Sequence, residues 1–190
     1  EAGHEIVLVV TQPDKPRGRG HALQFPPVKE AALRLGIPVA QPERARNADF
    51  IELLRAQKAE LFVVTAFGQI LPKEILELPH YGCVNIHASL LPAYRGAAPI
   101  QWAVIDGQRE SGITTMLMDE GLDTGDILRQ YPIPLSPEET GGSLFAKLEK
   151  LGAEAILDTV RGLEAGSIVP ERQGETTTAY AKMLRKEMGN

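Results

Sequence analysis

Apolar residues along the chain fall in short runs of strand length, separated in the first half by segments with helical spacing. The runs are Glu5 to Val10, Ile37 to Gln41, Glu60 to Ala66, Gly82 to His87, Gly112 to Met118 and Asp126 to Tyr131. Between the first four, Pro26 and Pro27 suit the first turn of a helix ending near Leu35, and Asn47 or Asp49 can cap a helix through Phe50, Leu53 and Leu54. Pro72 opens a short third helix through Ile75 and Leu76. A stretch such as LFVVTAF is apolar at nearly every position, as in a strand covered on both faces, and its alternation with helices predicts a parallel sheet. The expected class is therefore α/β, a mostly parallel sheet with helices on both faces. The last two strands flank the turn Asp119 to Gly125 and have mixed polarity, which predicts an antiparallel or edge pair. Thr140 to Gly166 reads as helix, broken or bent near Gly152, and the polar, poorly periodic residues Ser167 to Asn190 read as a short strand or a tail leading elsewhere. No internal repeat and no second domain are visible.

At 190 residues and 43 % hydrophobic composition, the chain can bury a sizeable core and is too apolar for disorder. No apolar run is long enough to span a bilayer, so no membrane association is expected. Cys83 is the single cysteine, which excludes an internal disulfide and a cysteine-rich metal site. The N-terminus, EAGHEIVLVV, lacks the basic region, apolar core and cleavage site of a signal peptide, so a reducing compartment is expected, either bacterial cytoplasm or an organellar matrix. Twenty Lys and Arg against 25 Asp and Glu give a net charge of −5. That sum argues against coating nucleic acid nonspecifically while leaving room for a local basic element. Both ends read as cut, because a doubly wound sheet usually opens with a strand, a phosphate-side loop and a helix, and here the first strand runs into a long basic loop.

Three segments could carry chemistry. In Asn85-Ile86-His87-Ala88-Ser89-Leu90-Leu91-Pro92, strand alternation puts the Asn85 amide and His87 imidazole on one face, at the C-terminal end of a central strand where open α/β sheets place their ligands. The competing reading is a buried Asn and His satisfied by nearby loops. The loop that follows, punctuated by Pro92, Gly96 and Pro99 and holding Tyr94 and Arg95, is too elaborate for a plain connection. In Met118-Asp119-Glu120-Gly121-Leu122-Asp123-Thr124-Gly125-Asp126 the spacing lacks the EF-hand ligand pattern, so no metal is expected. A solvated turn with Asp caps accounts for Asp119, Glu120 and Asp126, whereas Asp123 can project inward and orient a histidine. The third segment, Thr11 to His21, carries Lys15, Arg17 and Arg19 against Asp14, a local excess of positive charge. Its glycines and prolines predict a mobile basic finger without regular structure, either a solvated charge run or a phosphate contact.

Asn85-Ile86-His87, SLLPAYRGAAPIQWAV and GLDTGDIL, in this order, resemble the folate-dependent formyltransferases, from Ile6 to about Met183. RGAAPIQ together with TQPDKPRGRG is most similar to the branch of that family acting on initiator methionyl-tRNA. The resemblance implies a Rossmann-like catalytic domain over residues 1–190, with the family's first strand and its C-terminal barrel domain missing. It implies 10-formyltetrahydrofolate as co-substrate, no metal, and a monomer. Carried over by position, it makes Asn85, His87 and Asp123 the catalytic set. Phe67, Gln69, Ile70 and Leu71 match one side of the pterin pocket, with Met118, Asp119 and Asp123 on the other. Lys15, Arg17, Arg19 and Arg95 match tRNA contacts, Arg19 within the loop that enters the acceptor stem. The implied reaction is attack of an α-amine on the formyl carbon through a tetrahedral oxyanion, which an amide and an imidazolium can stabilise. Two alternatives stand beside it. One is a formyltetrahydrofolate hydrolase, or another formyltransferase of the same fold, and the other is a noncatalytic nucleotide-binding module.

Overall fold

The computed structural model describes residues 2–17, 22–176 and 178–189. The chain divides into two compact units, Glu1–Phe62 with Ala66–His80, and Val63–Thr65 with Tyr81–Asn190. The first contains strand β1 (Val9–Val10), paired in parallel with β4 (Val39–Ala40), and helices α1 (Pro27–Arg34), α2 (Ala48–Gln57) and α3 (Lys73–Leu76). Pro27 occupies the first helical turn of α1, where its missing N–H costs nothing. Asn47 is the N-cap residue of α2, although its side chain makes no capping bond.

The basic segment differs from expectation. Strands β2 (Lys15–Arg17) and β3 (Ala22–Gln24) pair antiparallel, Lys15 opposite Gln24 and Arg17 opposite Ala22, so the segment is a β-hairpin and not an irregular finger. Its base is pinned by polar contacts that the glycine and proline content does not reveal. Lys29 Nζ lies 2.6 Å from Asp14 and donates to Gln41 at 2.7 Å, and Gln41 donates to both Asp14 and the Gln12 carbonyl at 2.8 Å. Lys29 and Gln41 together hold the Asp14 carboxyl below its usual range. Residues 18–21, among them Arg19, lie outside the described residues.

The second unit carries a four-stranded sheet in the order β5 (Phe62–Val64), β6 (Cys83–His87), β7 (Glu110–Leu117), β8 (Ile127–Pro134). The pair β7·β8 is antiparallel, as the mixed polarity of the last two runs predicts, and β6·β7 is antiparallel as well, where a parallel neighbour was expected for the apolar run ending at His87. With β1 and β4 parallel, the fold is α/β with mixed strand polarity. Helix α4 (Pro99–Ile105) precedes β7, and α5 (Gly141–Glu164) follows β8. A capping box between Thr140 and Ser143 starts α5.

Helix α5 is continuous through Gly152, so of the break or bend expected there the break is not found. A glycine at this position reflects packing instead: a Cβ on Gly152 would lie 3.3 Å from Ile86 Cγ2. The buried positions Leu144, Leu148, Gly152, Ala155, Thr159 and Gly162 make one helical stripe. Thr159 meets Thr115 of β7 in a 2.8 Å hydroxyl pair with both residues fully buried. Asp158 accepts from Tyr131 at 2.6 Å and pairs with Arg129, which keeps its carboxyl below the usual range. Leu144, Leu148 and Ala155 complete the core with Ile100, Ala103 and Ile113, each buried Leu or Ile side chain contributing about 1.5–3 kcal/mol.

Candidate active site

Because Ile86 faces α5, strand alternation turns Asn85 and His87 to the opposite face of β6. Their cross-strand neighbours on β7 are Met116 and Thr114. His87 is 6 % exposed, so its ring nitrogens need partners within the protein. Nε2 lies 3.0 Å from the Tyr94 carbonyl, which can only accept; Nε2 therefore carries a proton, and in the neutral ring Nδ1 is the free base. Nδ1 lies 3.8 Å from Asp123 Oδ1. That is longer than a hydrogen bond, yet a proton arriving on Nδ1 would face a carboxylate.

Asp123 is held to this task from the other side. Its Oδ2 accepts from the Gly96 backbone N–H at 2.9 Å, and its backbone is left-handed at φ 56, a conformation uncommon outside glycine. The turn around it closes on Asp119, whose carboxylate accepts from the Gly121 N–H at 2.9 Å and from the Thr124 hydroxyl at 2.8 Å. Asp119 thus caps the turn, as its sequence context suggests. Met118 donates its backbone N–H to the Cys83 carbonyl at 2.8 Å. Burial pushes the Cys83 thiol up to about 12, leaving it without nucleophilic character at neutral pH.

The loop after β6 is fixed by hydroxyl and amide caps. Thr114 Oγ1 donates to the Ser89 carbonyl at 2.7 Å and accepts from the Leu91 N–H at 3.0 Å, and Gln130 donates to the Leu91 carbonyl at 2.7 Å. The Tyr94 phenol donates to Asp106 at 2.9 Å, and burial, with this carboxylate second, pushes it up to about 12. A cavity of about 350 Å³ lies against this loop, lined by Leu90, Ala93, Tyr94, Gln108, Glu110, Ser111 and Thr178. It includes none of the Asn85, His87 and Asp123 set, so the side-chain geometry, and not this cavity, defines the candidate site.

The segment after α5, expected as a short strand or a tail leading elsewhere, returns to its own unit between Glu171 and Ala181. Glu171 and Ile127 exchange backbone hydrogen bonds at 2.7 and 2.8 Å. Thr178 Oγ1 accepts from the Tyr94 N–H at 2.8 Å, and Ala181 bridges Gly96. Gln173 accepts from Arg95 Nε and Nη2 at 3.0 and 2.8 Å, and Arg95 also donates to the Gly174 carbonyl at 3.2 Å. Arg95, expected at the tRNA, is thereby anchored within the protein. Tyr180 borders the site as well: burial first, and the Asp123 charge second, raise its phenol. Sequence reading missed Gln173, Thr178 and Tyr180, which sit in a stretch without periodicity.

In the first unit, the segment 67–71 is fixed by side chains of its own unit. Gln12 donates to the Phe67 carbonyl at 2.9 Å, and Gly68, at φ +76, leaves no room for a Cβ beside the Gln12 amide 2.6 Å away. Gln69 uses its side-chain oxygen to accept from the Ala45 N–H at 2.7 Å. Leu71 is buried, whereas Ile70 is 69 % exposed. Lys15 is exposed and donates to Gln12 at 3.2 Å. Among the described residues no group of three His, Cys, Asp or Glu is placed to hold a metal ion, and no helix is long and apolar enough to cross a membrane.

The formyl transferase family profile matches residues 1–160. The methionyl-tRNA formyltransferase of Lachnospira eligens is 58 % identical over 189 residues, covering all of this chain and 60 % of that protein. The protein of the same name from Agathobacter rectalis is 54 % identical, with 100 % and 61 % covered. The chain thus spans about 60 % of the length of the curated relatives it matches. Among solved structures, phosphoribosylglycinamide formyltransferase from Bacillus halodurans superposes with a TM-score of 0.72 at 23 % identity, covering 85 % of this chain and 81 % of its own, a likeness of fold.

Proposed function

This chain belongs to the formyl transferase family, and on that premise we propose that it transfers the formyl group of 10-formyltetrahydrofolate to the α-amine of methionyl-tRNA, initiator methionyl-tRNA being the substrate and bacterial cytoplasm the setting. The observation that carries the reading is the 3.8 Å approach of Asp123 to the one ring nitrogen of His87 that is free to take a proton. The identity of more than half to relatives named for this reaction supports the choice of acceptor.

In the proposed reaction the amine attacks the formyl carbon, the C–N bond to the folate breaks, and one proton leaves the amine while another reaches the folate nitrogen. Asn85 donates its amide N–H to the oxyanion, and His87, protonated at Nδ1, supplies a second donor. Asp123 stabilises that imidazolium, takes up the proton released by the amine, through the ring or one water, and passes one on to the folate nitrogen as the C–N bond breaks. Phe67, Gln69, Ile70 and Leu71, and separately Met118 and Asp119, are proposed as folate contacts by resemblance. Lys15, Arg17, Arg19 and Arg95 are proposed as tRNA contacts. Residues 1–190 are proposed as the catalytic domain.

The test is to incubate the full-length protein with 10-formyltetrahydrofolate and methionyl-tRNA and to analyse both products. Formylmethionyl-tRNA formed in step with tetrahydrofolate supports the reading. Formate released at the same rate without tRNA favours the hydrolase, and failure to bind folate favours a noncatalytic module.

A further inference from the structure

We infer that Gln173 is a positioning residue of the His87–Asp123 pair: its side-chain amide clamps the turn that carries Asp123 to the loop that anchors His87, an inference that rests on the function proposed above. The Nε2 group donates to the Asp123 carbonyl at 3.0 Å and the Gly125 carbonyl at 2.6 Å, with Met116 Sδ at 3.4 Å. The Oε1 atom accepts both bonds from Arg95. Chemistry fixes the orientation of this amide, because the reverse one would set an oxygen against two carbonyls and an NH2 against a guanidinium.

The two ends of the clamp coincide with the two supports of the catalytic pair. Arg95 lies between Tyr94, whose carbonyl holds His87 Nε2, and Gly96, whose N–H holds Asp123 Oδ2. The carbonyls of residues 123 and 125 bracket the turn on which Asp123 takes its left-handed backbone. Gln173 lies two residues beyond the Glu171 to Ile127 backbone exchange, which ties its segment to β8. With the clamp intact, the spacing between Nδ1 and the carboxylate is set by a hydrogen-bonded frame. Without it, the turn and the loop are left with the Gly96 to Asp123 hydrogen bond but lose the tie through Gln173, and the distance from the proton acceptor to the ring is held less closely.

The test is made in the full-length protein with Gln173→Glu and Gln173→Ala, each alone and combined with Asp123→Asn. Gln173→Glu keeps the shape and the oxygen facing Arg95 while replacing the N–H donors with an oxygen that repels the two carbonyls. Thermal unfolding confirms that each variant is folded. Both single variants are expected to lower kcat about tenfold, with KM for folate and for methionyl-tRNA within about twofold. In the Asp123→Asn background the same changes should move kcat by less than about twofold, since no carboxylate remains to be positioned. An unchanged kcat in both Gln173 variants, a loss expressed only in KM, or a tenfold loss that persists in the Asp123→Asn background would each overturn the inference alone. Parental kcat in Asp123→Asn itself would overturn the proposed catalytic set, and this inference with it.

Discussion

Gly96 is where the loop after β6, the Asp123 carboxylate and the C-terminal segment meet, and Gly96→Ala tests all three. Its φ of +124 is one that L side chains rarely adopt, and a methyl there would lie 2.7 Å from the Ala181 carbonyl oxygen and 2.9 Å from Tyr180 Cε1. The backbone conformation alone costs about 1–3 kcal/mol for a non-glycine residue. Ala181 cannot retreat freely, because its carbonyl accepts from the Ala98 N–H at 3.0 Å and its N–H donates to the Arg95 carbonyl at 2.8 Å. Losing that pair adds about 0.5–1.5 kcal/mol per bond. The expected destabilisation is about 2–6 kcal/mol, equivalent in a chain of this size to a fall in Tm of roughly 4–24 °C. Gly107→Ala is the comparison, since Gly107 has φ +61 with nothing within 4 Å of a built Cβ, leaving only the backbone cost. Turnover should fall as well, on the order of a hundredfold if the Gly96 N–H moves about 1 Å from Asp123. Calorimetric unfolding of both variants with formyl-transfer rates provides the measurement. A Gly96→Ala protein no less stable than Gly107→Ala, with parental turnover, would refute the reasoning.

Thr115→Val and Thr159→Val should each destabilise by about 1–3 kcal/mol, because each leaves a buried hydroxyl without its partner. The double variant should cost clearly less than their sum, a non-additivity that denaturant unfolding of the four proteins would measure. Arg19→Ala should lower the efficiency of methionyl-tRNA formylation at least tenfold, about 1.4 kcal/mol of transition-state stabilisation, with folate affinity within about twofold. Steady-state kinetics at subsaturating tRNA and moderate salt would check it.

Much of the framework is legible in the sequence because it rests on local periodicity. The α/β class, the six apolar runs and the antiparallel end of the sheet all follow from alternation and apolar content. Asn85 and His87 on one face follow from the period of a strand. What escaped reading depends on residues far apart in the chain. Gly152 suggests a broken helix until Ile86 is seen against it, because a glycine that admits a neighbour and a glycine that ends a helix look alike in one dimension. The basic segment suggests disorder by composition, yet Lys29 and Gln41, remote in sequence, pin its base through Asp14. Gln173 and Thr178 lie in a stretch with no hydrophobic period, and their role comes from side-chain hydrogen bonds to residues far off in sequence, Gln173 with Arg95, Asp123 and Gly125 and Thr178 with Tyr94.

The most direct test of the account is the rate of formyl transfer from 10-formyltetrahydrofolate to methionyl-tRNA by His87→Ala in the full-length protein, at saturating concentrations of both substrates. The account predicts a fall of at least about a hundredfold, as expected when a positioned acid–base group is lost, with the variant folded and folate affinity within about twofold. A folded His87→Ala protein that formylates methionyl-tRNA at close to the parental rate would contradict it, and would return His87 and its contact with Asp123 to a purely structural role.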